Sequence, residues 1–209
     1  MSKKLVSDLL VDYLERRGVT KLFGLCGHTV IGMLDALSRS KKIEYIGTRH
    51  EAIASTAADG YARITHKASV VMCHLGPGLT NVLTGVANAS LDSIPMVVIT
   101  GQVTRGVIGT DSFQESDIVG ITMPIVKHSF LLQSAEELTT TFREAFHIAS
   151  TGRPGPVLID VPSDIQSEQI VFNYPDAVNL PSYRPTYRGN AKQIRAAVQR
   201  IARAERPVL

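Results

Sequence analysis

Pro95-Met96-Val97-Val98-Ile99-Thr100 is a short run, apolar almost throughout and largely β-branched. A strand with no polar alternation has to be buried on both faces, which is the condition of a strand inside a helix-covered parallel sheet. Working outward, residues 69–74 and 156–161 read the same way, and residues 19–25, 43–46 and 125–132 add three further apolar runs. Helical spacing fills the intervals. Leu5, Leu9, Leu10, Tyr13 and Leu14 recur before a stop at Gly18, and Val30, Met33, Leu34 and Leu37 follow. Residues 51–62, 80–89 and 136–150 supply three more helices. This alternation predicts an α/β domain over residues 1–165, a doubly wound six-stranded parallel sheet with helices on both faces.

Beyond Pro162 the periodicity fades. Pro175, Pro181 and Pro185 mark residues 166–190 as a linker. Residues 191–204 return to helical spacing with Ile194, Ala197, Val198 and Ile201 on one face, and Arg206-Pro207-Val208-Leu209 resembles the start of another strand. Residues 191–209 are therefore expected to open a central α/β domain, with the chain truncated before that domain is complete.

The composition excludes several classes. In 209 residues, 44% hydrophobic and 20% charged, the net charge is only +3. No basic run exceeds a pair such as Lys3-Lys4 or Lys41-Lys42, so the footprint of a nucleic-acid binder is missing. No apolar run approaches the ~18 residues of a membrane span. The Met-Ser-Lys-Lys start lacks the apolar stretch of a signal peptide, and a cytoplasmic location is expected. Cys26 and Cys73 make neither a disulfide framework nor a CxxC site. The six histidines form no HxH or HxxxH pair, and no metal ligands are expected in this chain.

Ligands of open parallel sheets bind beyond the carboxyl ends of the strands, so the loops there matter most. Thr48-Arg49-His50-Glu51 places a carboxylate at the start of an Ala-rich helix, where it either binds a ligand or simply stabilises the helix. His74-Leu75-Gly76-Pro77-Gly78-Leu79-Thr80-Asn81 brings a flexible backbone and a helix N-terminus to a strand end. It matches neither the dinucleotide fingerprint nor the P-loop. Gly109-Thr110-Asp111-Ser112-Phe113-Gln114-Glu115 lies in a long polar loop, a length that favours function. Thr151-Gly152-Arg153-Pro154-Gly155-Pro156 sets a sharp reversal before the last strand. A GxSxG elbow is absent, which argues against Ser-His-Asp chemistry.

Taken together, these segments resemble a known family. Arg49-His50-Glu51, Ala57-Ala58-Asp59-Gly60-Tyr61-Ala62-Arg63, Gly76-Pro77-Gly78 with Thr80-Asn81, and Asp92-Ser93-Ile94-Pro95 through Gly101-Gln102 resemble the pyrimidine-binding domain of thiamine-diphosphate enzymes. Ile108-Gly109-Thr110-Asp111, Phe113-Gln114-Glu115, Asp117 to Thr122, Pro124 to Phe130 and the Arg153-Pro154-Gly155-Pro156 stretch look like the acetolactate (acetohydroxyacid) synthase large subunit. The resemblance runs in order from about residue 5 to 165.

It implies the thiamine-diphosphate-binding fold and a carboligase that decarboxylates pyruvate and joins the two-carbon unit to a second 2-keto acid. It implies that Glu51 hydrogen-bonds N1′ of the cofactor's aminopyrimidine, and that Gly76, Pro77 and Asn81 line the pyrimidine pocket. Phe113, Gln114 and Lys127 match residues of the substrate channel, and Arg153 matches an arginine that touches FAD in flavin-containing members. Mg²⁺ and the diphosphate belong to a C-terminal domain, usually of the partner subunit. A homodimer or tetramer with its active site at the interface follows, with a regulatory subunit as a further partner. This chain alone is expected to be inactive.

One departure concerns the loop after the first strand of the sheet. Synthases of this branch usually read Tyr-Pro-Gly-Gly-Ala-Val where this chain has Leu25-Cys26-Gly27-His28-Thr29-Val30. His28 adds bulk and a titratable group beside the reacting end, either tuning substrate choice or pointing to solvent. The change keeps alternatives open: another thiamine-diphosphate lyase, decarboxylase or hydrolase, or a non-catalytic dimerisation or regulatory module.

Overall fold

The computed structural model describes residues 3–171, 173–174 and 177–208. The chain forms two compact units, Met1–Asn179 and Leu180–Leu209. In chain order the first contains β1 (Lys3–Leu5), α1 (Val6–Arg16), β2 (Lys21–Gly24), α2 (Ile31–Ser38) and β3 (Glu44–Gly47). Then come α3 (Glu51–Thr65), β4 (Ser69–Cys73), α4 (Pro77–Leu91), β5 (Met96–Gln102) and α5 (Ile118–Thr122). It closes with β6 (His128–Leu131), α6 (Leu138–Ser150), β7 (Pro156–Pro162), α7 (Ser163–Gln166) and β8 (Gln169–Val171).

Six strands make one parallel sheet in the order β3-β2-β4-β5-β7-β6. Each of the six apolar runs supplies one of them. Every residue of β4, β5 and β7 is buried, as their uninterrupted apolar character requires. Met96 and Val98 face a core built with Ala54 and Ala58 of α3 and Leu79, Val82 and Val86 of α4. The opposite face of the sheet is covered from α1 and α6, where Tyr13 meets Phe142 edge-on with ring centroids 5.8 Å apart. The chain leaves β2 for β3 on one side and then crosses back to β4 on the other, so a topological switch point lies between β2 and β4.

The two helices that flank this switch point, α3 and α4, are tied by Asp59. One of its carboxylate oxygens accepts from Arg63 Nε at 2.9 Å and from Asn88 Nδ2 of α4 at 3.0 Å. Arg63 also reaches Asp92 just past α4, at 2.6 Å. The Ala57–Arg63 motif is thus explained as a brace between the helices.

Some boundaries differ from the sequence reading. α4 begins at Pro77 rather than Thr80, because proline has no N–H to lose at the first helical position. The run at 125–132 narrows to His128–Leu131, preceded by a 3₁₀ turn at Met123–Ile125. Compact packing extends past residue 165: β8 pairs antiparallel with β1, Lys3 opposite Val171 and Leu5 opposite Gln169. That pairing lies within residues read as linker, and its short, largely exposed strands carry no apolar signature. Pro175 lies outside the described residues. Among the described residues, no helix is long and apolar enough to cross a membrane.

In the second unit, Asn190 caps α8 (Ala191–Arg203) by accepting from the N–H groups of Lys192 and Gln193.

Candidate active site

The loop after β3 ends at His50, whose Nδ1 accepts from the Ala52 N–H at 3.2 Å and so caps α3. Glu51 is then the first residue of that helix. One carboxylate oxygen of Glu51 accepts from Asn81 Nδ2 of α4 at 2.9 Å. The other accepts no hydrogen bond among the described residues and faces Gly78. A Cβ on Gly78 would stand 3.5 Å from that oxygen and 3.2 Å from the His74 Cβ, so glycine keeps open the space in front of the carboxylate. Gly76 enters the turn at φ +47°, where a side chain would also meet the Gln114 carbonyl at 2.1 Å.

The loops after β2, β3, β4 and β5 meet at this carboxyl edge. They bring together Glu51, Gly76, Pro77 and Asn81 with His28, Phe113 and Gln114. The His28 ring lies 4.4 Å from that of His74 and 6.1 Å from that of Phe113, measured between centroids. His28 is exposed, and its ring is tilted against both neighbours.

Lys127 and Arg153 are placed elsewhere. Both precede a strand and stand at the amino edge of the sheet. The Lys127 ammonium donates to the Ile148 and Thr151 carbonyls at the end of α6. Arg153 donates to Ser93 Oγ at 2.7 Å and to the Leu91 carbonyl at 3.0 Å. A cleft of about 830 Å³ also opens at this edge, between Arg17, Lys21, Tyr61, Arg63 and Phe146. It makes a poor anion site. The carboxyl ends of α1, α3 and α6 turn their negative poles towards it, and Lys21 and Arg63 are already paired with Glu44, Asp59 and Asp92.

Two residues near the carboxyl edge were not singled out as site residues from the sequence. His74 stood inside the quoted glycine-proline run, and only its contacts distinguish it. Asp160 on β7 is 1% exposed and accepts from Thr100 Oγ1 at 2.7 Å and Gln102 Nε2 at 2.9 Å. Burial outweighs these hydrogen bonds and pushes its carboxyl up to about 6. The folded state therefore holds this proton more tightly than the unfolded chain. The contribution of Asp160 to stability grows as pH falls from about 6 towards the ordinary carboxylate range, and is flat above it. Unfolding titrations of wild type and Asp160→Asn should diverge accordingly, their difference changing by about 2 kcal/mol between pH 7 and pH 4.5. A difference independent of pH would show that Asp160 keeps its ordinary affinity for protons.

The model of the family described as "Thiamine pyrophosphate enzyme, N-terminal TPP binding domain" matches residues 4–121. The chain is 49% identical over 203 residues to an acetolactate synthase of Mycobacterium bovis, an alignment covering 97% of this chain and 33% of the relative. It is 46% identical over 200 residues to the acetolactate synthase large subunit of Corynebacterium glutamicum, covering 96% and 32%. With that of Haemophilus influenzae the identity is 44% over 211 residues, covering 100% and 37%. The chain thus spans about a third of the length of the curated relatives it matches. With the family model covering more than half of its residues, the chain belongs to the thiamine pyrophosphate enzymes and carries their N-terminal TPP-binding domain.

Proposed function

We propose that this domain supplies the pyrimidine-holding half of the active site of an acetolactate synthase large subunit. The observation that carries the reading is the Glu51 carboxylate at the head of α3, with one oxygen held by Asn81 and the other open over Gly78. The residues fit thiamine diphosphate: a carboxyl oxygen without a protein partner, a glycine that leaves room for a flat ring, and a position beside the switch point. When bound, the cofactor supplies the electron sink that lets a 2-keto acid lose CO₂ and join a second one.

This chain's part is to bind, orient and manage a proton. Asn81 fixes the Glu51 carboxyl in one rotamer, so its free oxygen can hold or pass a proton at the N1′ position of the pyrimidine. Gly76 and Pro77 set the backbone wall, and His28, Phe113 and Gln114 line the approach. Following the family resemblance, the diphosphate and Mg²⁺ are held by another part of the enzyme. A homodimer or tetramer with the site at its interface accommodates this, and FAD, a regulatory subunit and a cytoplasmic location complete the proposal. Lys127 and Arg153, at the opposite edge, can serve a substrate channel or FAD only where a second domain or subunit meets that edge.

The test is turnover by the full-length protein with pyruvate, thiamine diphosphate and Mg²⁺. Acetolactate formation is expected, and chelating the Mg²⁺ should abolish it. A protein that binds thiamine diphosphate and consumes pyruvate without forming acetolactate would refute the synthase reading.

A further inference from the structure

His74 directly follows β4 and is 9% exposed, and both of its ring nitrogens are engaged. Nδ1 lies 2.9 Å from Thr29 Oγ1, whose single hydrogen goes to the Gly101 carbonyl at 3.1 Å. With that hydrogen committed, Nδ1 donates to Thr29 Oγ1. Nε2 lies 2.7 Å from Gln114 Oε1, and with the amide oxygen and nitrogen exchanged the Gln114 N–H donates to it.

Beyond Gln114 the loop is tied mainly to itself. The Glu115 carboxylate accepts from the N–H groups of Gly109 and Ser112, and these bonds hold its pKa below the ordinary carboxylate value. Asp111 and Gln114 both adopt left-handed backbone, at φ +57° and +61°. The tip carries Phe113, 74% exposed, against the His28 ring. Partial desolvation, and then the neighbouring His74, hold the His28 imidazole below its ordinary value.

We propose that His74 is a positioning residue: through Gln114 it clips the Asp111–Glu115 turn to the edge of the Glu51 cleft, with His28 wedged between His74 and Phe113. The clipped turn forms the wall that the incoming 2-keto acid meets. This second statement rests on the thiamine-diphosphate reading of the cleft, and the clip itself does not.

The clip is tested by amide hydrogen exchange across residues 110–116, without cofactor, in wild type, Gln114→Leu, Gln114→Asn, His74→Phe and the His74→Phe/Gln114→Leu double variant. Asparagine tolerates left-handed backbone but is one methylene too short to reach Nε2. Both Gln114 variants should speed exchange about fivefold, the scale of one lost hydrogen bond. The double variant should exchange no faster than His74→Phe alone. Exchange in Gln114→Asn at or below the wild-type rate would overturn the clip, because backbone preference would then account for the ordered turn. Gln114 is exposed, so its variants keep the test decisive if His74→Phe fails to fold.

In the full-length enzyme, Gln114→Asn should raise KM for the 2-keto acid by about the same factor, with thiamine diphosphate affinity unchanged. Faster exchange with an unmoved KM would refute the wall. A wild-type protein that fails to bind thiamine diphosphate would refute the cofactor reading and leave the exchange result standing.

Discussion

Glu51→Gln in the full-length enzyme is expected to lower kcat about a thousandfold, within the range by which a positioned proton-transfer group accelerates a reaction. Glutamine has the same length and shape, so it fits the space between Asn81 and Gly78. Its oxygen can still accept from Asn81 Nδ2, the bond that spans 2.9 Å in wild type. The end facing Gly78 then becomes an amide nitrogen, which can donate a hydrogen bond but cannot give up or receive a proton at that position. Binding geometry survives while proton management is lost. The helix itself loses a negative charge from its first turn, worth about 0.3–1 kcal/mol, too little to unfold a domain of this size. Kinetics should therefore show the loss in kcat, and equilibrium binding of thiamine diphosphate should change far less. Turnover within a few-fold of wild type would mean that Glu51 only caps its helix.

Much of this was legible without coordinates because the physics is local or periodic. Fully apolar runs can only be strands buried on both faces, and β4, β5 and β7 are buried along their whole length. Glu51 and Asn81 were each assigned to the cofactor pocket only through the family resemblance, and their mutual hydrogen bond, joining two helices thirty residues apart, was not read from the sequence. The edge on which Lys127 and Arg153 lie was not read from the sequence, where Lys127 fell inside the run at 125–132. In the structure Lys127 immediately precedes β6 and Arg153 lies in the loop before β7, and in a parallel sheet such loops open at the amino edge. What stayed hidden depends on tertiary placement. Nothing local marks His74 as the partner of Gln114, forty positions on. The burial that raises the Asp160 pKa comes from its place on β7 inside the sheet. The pairing of β1 with β8 joins the two ends of the first unit through three-residue strands too short for any period to register.

The contact between α3 and α4 that makes the site also yields the second large effect, from glycines that look alike in sequence. Gly60 and Gly85 both sit inside helices. A Cβ on Gly60 would meet nothing within 4 Å, whereas one on Gly85 would fall 2.4 Å from Ser55 Oγ and 2.8 Å from the Ser55 carbonyl carbon. Gly60→Ala should therefore stabilise the fold by about 0.5–1 kcal/mol, by removing freedom from the unfolded chain. Gly85→Val should destabilise it by about 3 kcal/mol, because the neighbouring atoms include backbone and the helices must separate to admit the side chain. Separation has a specific consequence: Ser55 lies one turn beyond Glu51, and Gly85 one turn beyond Asn81. Forcing α3 from α4 here lengthens the bond that orients the Glu51 carboxyl. Thermal unfolding would read the opposite signs of the two substitutions. At temperatures where Gly85→Val is still folded, thiamine diphosphate affinity should fall in that variant and hold in Gly60→Ala. Equal behaviour of the two variants would show that the close approach of these helices does not set the geometry of the site.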